Sequence, residues 1–172
     1  FLAELSEGTL SLEAFRYYMR QDYVFLIEFC RVVAFTVAKA QDLGDMSWFA
    51  QLLDETLNTE MTLHVSFCED FGISIDELQN TKSSPTTTQY TSYLLETASA
   101  GNALESAMAI LPCSWGYAEI GQNCVRKGLP TNQPLYSKWI QMYASPEFHE
   151  LAVRLRAFID RLAPTQSQPQ LD

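Results

Sequence analysis

A long run of residues without a helix breaker is the feature that most restricts the fold of this chain. Residues 11–40 contain neither glycine nor proline, and apolar residues recur along them at steps of three and four. This spacing places the apolar side chains on one face of an α-helix, with Ser11 as its N-cap and Glu13 in its first turn. The 172 residues include only 7 Gly and 7 Pro, and no segment alternates with a period of two. The sequence therefore predicts an all-α fold.

The rest of the chain divides into further predicted helices with short connections. We expect these helices over residues 46–70, 88–98, 102–126, 134–144 and 146–162, where capping residues, glycine or proline stand at the ends. Residues 82–88, which include Pro85, are predicted to form a loop, and residues 164–172 a polar tail. Since we find neither an internal repeat nor a linker, residues 1–172 are expected to form a single domain.

The charge of the chain argues against two classes of partner. It carries 21 acidic and 11 basic residues, a formal net charge of −10, which repels phosphate backbones and anionic lipids. The most apolar stretch, 24–38, is short and contains Glu28 and Arg31, so it does not suit a bilayer. We expect neither nucleic acid nor membrane as a partner.

Cysteine spacing bears on the cellular compartment. The four cysteines are far apart in the sequence, which is poor spacing for disulfides or zinc: Cys30, Cys68, Cys113 and Cys124. Free thiols are typical of a reducing compartment, so we expect a cytoplasmic protein.

Asp22 is a carboxylate in the middle of an aromatic stripe. Helical spacing places it on the same face as Phe15, Tyr18, Phe25 and Phe29. An isolated carboxylate in such a place costs several kcal/mol, so it requires a partner or a ligand. Both a structural ion pair and a ligand site satisfy this requirement, and the spacing does not distinguish them.

The segment between Glu105 and Glu119 carries no charged residue, which is typical of a helix buried on all sides. Pro112 inside this segment is expected to kink the helix. Cys113 follows the proline directly and Tyr117 lies one turn later, as suits a nucleophile that faces a pocket. A buried cysteine is more commonly a small inert hydrophobe, so the residue type leaves both interpretations open.

Two other groups of residues are ambiguous by type. Tyr136, Trp139 and Tyr143 form an aromatic ridge on one predicted helix, and such a ridge serves either a core or a pocket rim. Tyr90 is ambiguous in the same way.

Glu60 and His64 are one helical turn apart, as in a di-iron bundle. Such a centre needs a second Glu-x-x-His set and further carboxylates, but the chain has only 2 His. We therefore expect no metal centre and a hydrogen-bonded His64.

Four separated motifs resemble those of the TenA family in order and spacing. They are Gln21-Asp22-Tyr23, Pro85-Thr86 with Tyr90-Thr91, Leu111-Pro112-Cys113-Ser114-Trp115-Gly116-Tyr117, and Tyr136-Ser137-Lys138-Trp139-Ile140 with Tyr143. The resemblance covers nearly the whole chain, and the Pro-Cys-x-Trp-x-Tyr string is its most specific part. It implies a heme-oxygenase-like helical fold, usually a homotetramer, and hydrolysis of aminopyrimidines in thiamin salvage without metal or organic cofactor.

The resemblance also implies a role for each motif residue. Cys113 would attack a ring carbon of the pyrimidine and expel an amine, or the thiazole of thiamin, before water releases hydroxymethyl-pyrimidine. Asp22 would hold the amino group and ring nitrogen of the pyrimidine, and Tyr117 would contact the ring. Tyr90 and Tyr143 would line the pocket.

The chain departs from the family in two respects. Phe25, also expected at the pocket, stands where relatives often carry a tyrosine. The family has a further C-terminal helix with a proton-donating glutamate, and no segment here resembles that helix or most of the usual first one. The sequence is either a fragment or a shortened, inactive protein, and we favour the fragment because an open bundle would expose an aromatic pocket to water.

Two alternatives to the hydrolase remain. One is a non-catalytic pyrimidine-binding or regulatory protein on the same scaffold. The other is an oxygen- or metal-dependent enzyme on a similar bundle, for which the chain lacks histidine and carboxylate ligands.

Overall fold

The computed structural model describes residues 1–165, and all regular secondary structure in this range is helical. The helices are α1 (Leu2–Glu7), α2 (Leu12–Lys39), α3 (Leu43–Glu55), a π-helical turn (Thr56–Glu60), α4 (Met61–Asp70), α5 (Ile75–Gln79), α6 (Pro85–Ala100), α7 (Ala103–Lys127), α8 (Pro134–Tyr143), α9 (Pro146–Leu162) and a 3-10 turn (Ala163–Thr165). The prediction of an all-α fold is confirmed for this range. Most of the predicted polar tail, residues 166–172, lies outside the described residues.

Capping side chains explain where several helices begin. The Ser11 hydroxyl accepts a hydrogen bond from the Ala14 amide at 3.2 Å, so α2 begins where the sequence predicts. The helix predicted from residue 46 begins earlier, at Leu43, because Asp42 Oδ1 accepts from the Gly44 amide at 2.8 Å. The helical prediction to residue 70 is confirmed, since α3, the π-helical turn and α4 follow one another without a break.

The prediction of a loop over residues 82–88 was wrong in its second half. Helix α6 begins at Pro85, because the Ser84 hydroxyl caps it by accepting from the Thr87 amide at 3.1 Å. Proline suits the first helical position, where its missing N–H has no intrahelical partner. Short helix α5, which the sequence analysis missed, begins with a capping box between Ser74 and Glu77.

The chain forms two compact units whose boundary in the sequence falls inside α7. The middle unit is Ser11–Ser106, and the terminal unit consists of Phe1–Leu10 with the chain from Ala107 onward. In the middle unit α2 packs against α3, α4, α5 and α6. The Lys39 ammonium donates to the carbonyls of Ala98 and Ser99 at 2.6 Å, which satisfies the C-terminal end of α6.

The terminal unit buries a set of large side chains from α8 and α9, including Trp139, Ile140 and Leu155. The buried Tyr136 hydroxyl donates to the Leu10 carbonyl at 3.1 Å and so ties α8 to the N-terminal segment. Pro112 lies inside α7, as predicted. Within residues 1–165, each helix is too short or too polar to cross a membrane.

Gly121 allows the backbone of α7 to lie directly against the end of α8. A Cβ atom at this position would stand 2.6 Å from the Ala144 nitrogen and the Tyr143 carbonyl carbon. These are backbone atoms, which cannot rotate away as a side chain can. At Gly116 on the same helix a Cβ would meet no described atom within 4 Å.

We expect Gly121→Ala and Gly116→Ala to change stability in opposite directions. The first overpacks α7 against α8 and should lower the free energy of unfolding by about 1–3 kcal/mol. The second replaces a helix-interior glycine in open space and should raise it by about 0.5–1 kcal/mol. Urea unfolding of the two variants measures both changes. Equal stabilities would contradict the close approach at Gly121.

Candidate active site

The Asp22 carboxylate of α2 is paired with the imidazole of His64 on α4. Its Oδ2 lies 3.2 Å from His64 Nε2, and the two side chains are only 11% and 7% exposed. The two atoms are within ion-pair distance, although within the described residues Nε2 makes no hydrogen bond of standard geometry. On the other side of the ring, Nδ1 lies 3.5 Å from Cys68 Sγ. The structural partner that the sequence required for Asp22 is therefore His64.

Glu60, in the π-helical turn, adds a second carboxyl group to this cluster. Burial raises its pKa from 4.5 to about 7, and repulsion by Asp22 adds to the effect, while His64 and a hydrogen bond with Thr56 oppose it. Burial disfavours the charged ring of His64, but Asp22 and Cys68 outweigh it and raise the His64 pKa from 6.5 to about 9. These shifts favour the charged form of His64 and the protonated form of Glu60.

Both shifts predict a loss of stability as the pH rises. The raised pKa of Glu60 favours folding below pH 4.5, and this contribution is lost as the pH rises to about 7. The raised pKa of His64 favours folding below pH 6.5, and its contribution is lost as the pH rises to about 9. Glu60→Gln removes the first titration, so its melting temperature should gain on the wild type between about pH 4.5 and about pH 7.

Glu69→Gln provides the control for this measurement, since Glu69 is an exposed carboxylate on α4. Its melting temperature should follow that of the wild type throughout the range. A constant difference between Glu60→Gln and the wild type would mean that Glu60 does not titrate in this window.

An aromatic pair lies on the same unit. Phe25, one helical turn after Asp22 on α2, stacks on Tyr90 of α6 with ring centroids 5.6 Å apart and ring planes only 4° from parallel. Tyr90 is 37% exposed and Phe25 is half-buried, so both retain surface for a ligand. Three of the residues that the sequence analysis selected, Asp22, Phe25 and Tyr90, therefore belong to the middle unit.

Gln21 connects α2 to the beginning of α6. Its Oε1 accepts from the Ser84 amide and the Thr87 hydroxyl, both at 2.8 Å, and its Nε2 donates to the Lys82 carbonyl at 3.0 Å. These bonds hold the N-terminus of the helix that carries Tyr90. The sequence analysis noted Gln21 only as part of a motif. A polar amide next to a buried carboxylate on an apolar helix is itself an indication that the side chain bonds to another segment.

Cys113 belongs to the terminal unit, where it lies half-buried on α7. Its Sγ donates to the Ile110 carbonyl at 2.8 Å, so the sulfur is held as a thiol in this geometry. The reactive form of a cysteine is the thiolate. Attack by Cys113 therefore requires loss of this proton.

Aromatic rings surround Tyr117, one turn after Cys113. The Tyr117 ring lies 4.7 Å from Tyr143 and 6.1 Å from Trp139, measured between centroids. Tyr143 also packs edge-on against Phe148 at 4.9 Å. The predicted residues Tyr117 and Tyr143 are thus in direct ring contact within the terminal unit.

In the part of the chain that the structure describes, no three His, Cys, Asp or Glu side chains are grouped so that they could hold a metal ion.

Comparison with known proteins gives consistent matches over the chain. The TENA/THI-4/PQQC family profile matches residues 1–172. The chain is 42% identical to the aminopyrimidine aminohydrolase of Halalkalibacterium halodurans over 165 residues, which cover 95% of this chain and 73% of the relative. It is 33% identical to the Bacillus subtilis protein of the same name over 168 residues, covering 98% and 70%.

Two solved structures also match. A TenA homologue from P. horikoshii OT3 superposes with a TM-score of 0.88 at 28% identity, covering 97% of this chain and 76% of that one. A TenA family transcription regulator from Silicibacter sp. superposes with a TM-score of 0.86 at 32% identity, covering 93% and 70%.

Proposed function

Because this chain belongs to the TENA/THI-4/PQQC family, we propose that it is a hydrolase of aminopyrimidines in thiamin salvage. It converts aminomethyl-pyrimidine, or thiamin, to hydroxymethyl-pyrimidine by replacing a C–N bond with a C–O bond. The observation that carries this proposal is the extended similarity to proteins named aminopyrimidine aminohydrolase.

In this proposal Cys113 is the nucleophile. Its thiol loses the proton now donated to the Ile110 carbonyl, and the thiolate adds to a ring carbon of the pyrimidine. The added electron density expels the amine of the aminomethyl group, which takes up the proton that the thiol lost, and leaves an exocyclic methylene. The oxygen of water then adds to this methylene carbon, the cysteine leaves the ring and regains a proton from that water, and hydroxymethyl-pyrimidine remains. Half-burial of Cys113 supports this role, since the sulfur is sheltered without being enclosed.

Asp22 binds the amino group and ring nitrogen of the pyrimidine. Its carboxylate oxygens accept from the amino N–H and from the ring nitrogen, which carries a proton in the bound form and so donates. The stacked rings of Phe25 and Tyr90 offer flat apolar surface of the kind that a planar heteroaromatic ring requires. Tyr117 and Tyr143 provide rings of the same kind in the terminal unit.

A non-catalytic pyrimidine-binding or regulatory protein is the second candidate. It is favoured by the name of one solved relative, a TenA family transcription regulator. The net charge of −10 disfavours direct contact with DNA.

The test is a turnover assay with 4-amino-5-aminomethyl-2-methylpyrimidine and, separately, thiamin. Chromatography follows hydroxymethyl-pyrimidine in both reactions, and an ammonia assay follows the first. We expect product from at least one substrate. Binding of hydroxymethyl-pyrimidine without turnover of either substrate would favour the second candidate, and neither binding nor turnover would contradict both.

We also propose that the protein acts in the cytoplasm as a homotetramer. Free cysteines fit a reducing compartment, and the family resemblance supports the tetramer. Light scattering should give four times the chain mass of 19.5 kDa. A single chain mass at assay concentration would contradict the tetramer.

A further inference from the structure

Helix α6 is tied to α2 by a polar side chain at each of its ends, and one of these ties lies beside the proposed pyrimidine site. We propose that Gln21 is a positioning residue, whose amide fixes the start of α6 so that Tyr90 presents its ring beside Phe25 to the pyrimidine. This inference rests on the proposed function and deepens it, because it assigns part of the affinity for the ring to a side chain that acts through Tyr90.

The Gln21 amide has one orientation, because each of its ends faces a group of fixed polarity. Oε1 accepts from the Ser84 amide at 2.8 Å, and Nε2 donates to the Lys82 carbonyl at 3.0 Å. Since Oε1 is an acceptor only, the Thr87 hydroxyl donates to it, also at 2.8 Å. The Ser84 hydroxyl then donates to the Thr87 oxygen at 3.0 Å and accepts from the Thr87 amide at 3.1 Å. Both hydroxyl protons are thereby used, and the start of α6 is held in one arrangement.

This network and the aromatic stack are one helical turn apart on both helices. Phe25 follows Gln21 by four residues on α2, and Tyr90 follows Thr87 by three residues on α6. Tyr90 is 37% exposed, so packing holds its ring less firmly than that of a buried residue. Its stacking on Phe25, with ring planes only 4° from parallel, therefore depends on the position of the α6 backbone. The network fixes that position from the preceding turn.

The other end of α6 provides a matched comparison. Lys39 Nζ donates to three carbonyl oxygens at 2.5–2.6 Å, those of Ala98, Ser99 and Gly101. The nearest of these residues to Tyr90 is eight residues away, or about 12 Å along the helix. Gln21 and Lys39 are both half-buried and both hold α6 against α2, but only Gln21 bonds within a turn of the stack. A purely structural role predicts the same consequences when either tie is lost.

The experiment compares Gln21→Met with Lys39→Met, since methionine removes each tie and keeps a side chain of similar length. Gln21→Met should raise the KM for aminomethyl-pyrimidine by about three- to tenfold, as expected for one displaced aromatic contact, and change kcat by less than about twofold. Lys39→Met should lower the melting temperature but change KM by less than about twofold. Equal effects of the two variants on KM would overturn the proposal, as would a loss in Gln21→Met that falls on kcat alone.

A double variant tests whether Gln21 acts through Tyr90. Tyr90→Leu removes the stacked ring and should itself raise KM. In that background Gln21→Met should raise KM by less than about twofold further, because no ring remains to be positioned. A further rise as large as that caused by Gln21→Met alone would show that Gln21 affects the ligand by another route, and the proposal would be wrong.

Hydrogen exchange of the ligand-free protein separates this inference from the proposed function. In Gln21→Met the amides of Ser84, Thr88 and Tyr90 should exchange about tenfold faster than in the wild type, since the first turns of α6 open more readily. In Lys39→Met their exchange should stay close to that of the wild type. Faster exchange confined to Ser84, whose own bond is removed, would overturn the inference. A wild type that neither binds nor turns over a pyrimidine, but whose Gln21→Met variant shows the faster exchange as far as Tyr90, contradicts the proposed function and leaves the positioning of Tyr90 intact.

Discussion

Cys113→Ser is expected to lower kcat/KM for aminomethyl-pyrimidine by a factor of about 10³ or more. A serine hydroxyl has nearly the size of the thiol and can keep the hydrogen bond to the Ile110 carbonyl, but it ionises at a much higher pH. At neutral pH it therefore supplies almost no anionic nucleophile. Steady-state kinetics measures the loss, and a thermal melt should show little change, because the site is only half-buried.

The matched control is Cys124→Ala, since Cys124 is a buried cysteine on the same helix and lies 3.1 Å from the Ser6 hydroxyl. We expect this variant to lose some stability through lost packing but to keep its turnover. Cys113→Ser with wild-type kcat/KM would remove Cys113 from the mechanism. An equal loss in both cysteine variants would indicate damage to the fold of α7 rather than to the chemistry.

Asp22→Asn is expected to lower kcat/KM by about 10² or more and also to destabilise the protein by about 3 kcal/mol. The amide lacks the negative charge of the carboxylate and keeps only one of its two acceptor oxygens, so binding of the amino group together with a protonated ring nitrogen is weakened. The stability effect has a separate cause, because the nearly buried His64 loses its ion-pair partner and must then hold an unpaired charge or give up its proton. Kinetics and urea unfolding measure the two effects independently.

A second substitution separates the causes. In Asp22→Asn with His64→Gln the unpaired charge is absent, so much of the stability should return while kcat/KM stays low. Glu13→Gln, an exposed carboxylate in the first turn of the same helix, should change kcat/KM little. Recovery of activity together with stability in the double variant would show that Asp22 acts only through the fold.

Local sequence signals were sufficient for the long helices and insufficient for the short ones. Helices α2 and α9 begin where Ser11 and Ser145 supply caps, and these bonds connect residues three apart. Helix α6 was predicted too short because Pro85 was interpreted as a loop residue, although Ser84 caps the helix and proline suits its first position. A helix as short as α5 depends mainly on its capping box and its packing, which apolar periodicity does not reveal.

The sequence analysis selected site residues where a polar or reactive side chain interrupts an apolar helical pattern. Asp22 and Cys113 were selected because one is a charge on an apolar stripe and the other follows a proline inside an apolar helix. Neither exception identifies a partner. Glu60 was considered only as a metal ligand. Its raised pKa depends on burial and on repulsion by Asp22, and the spacing of residues along one helix reveals neither.

The all-α class, the long helices and the position of the informative residues were determined by the sequence, because helical period, breakers and caps act over a few neighbouring residues. The partners were decided only by tertiary structure. The Asp22–His64 pair, the bonds from Gln21 to the start of α6 and the stacking of Phe25 on Tyr90 each join residues from different helices. Such contacts depend on how helices pack, and a periodic pattern shows which face of a helix is buried without showing what lies against it.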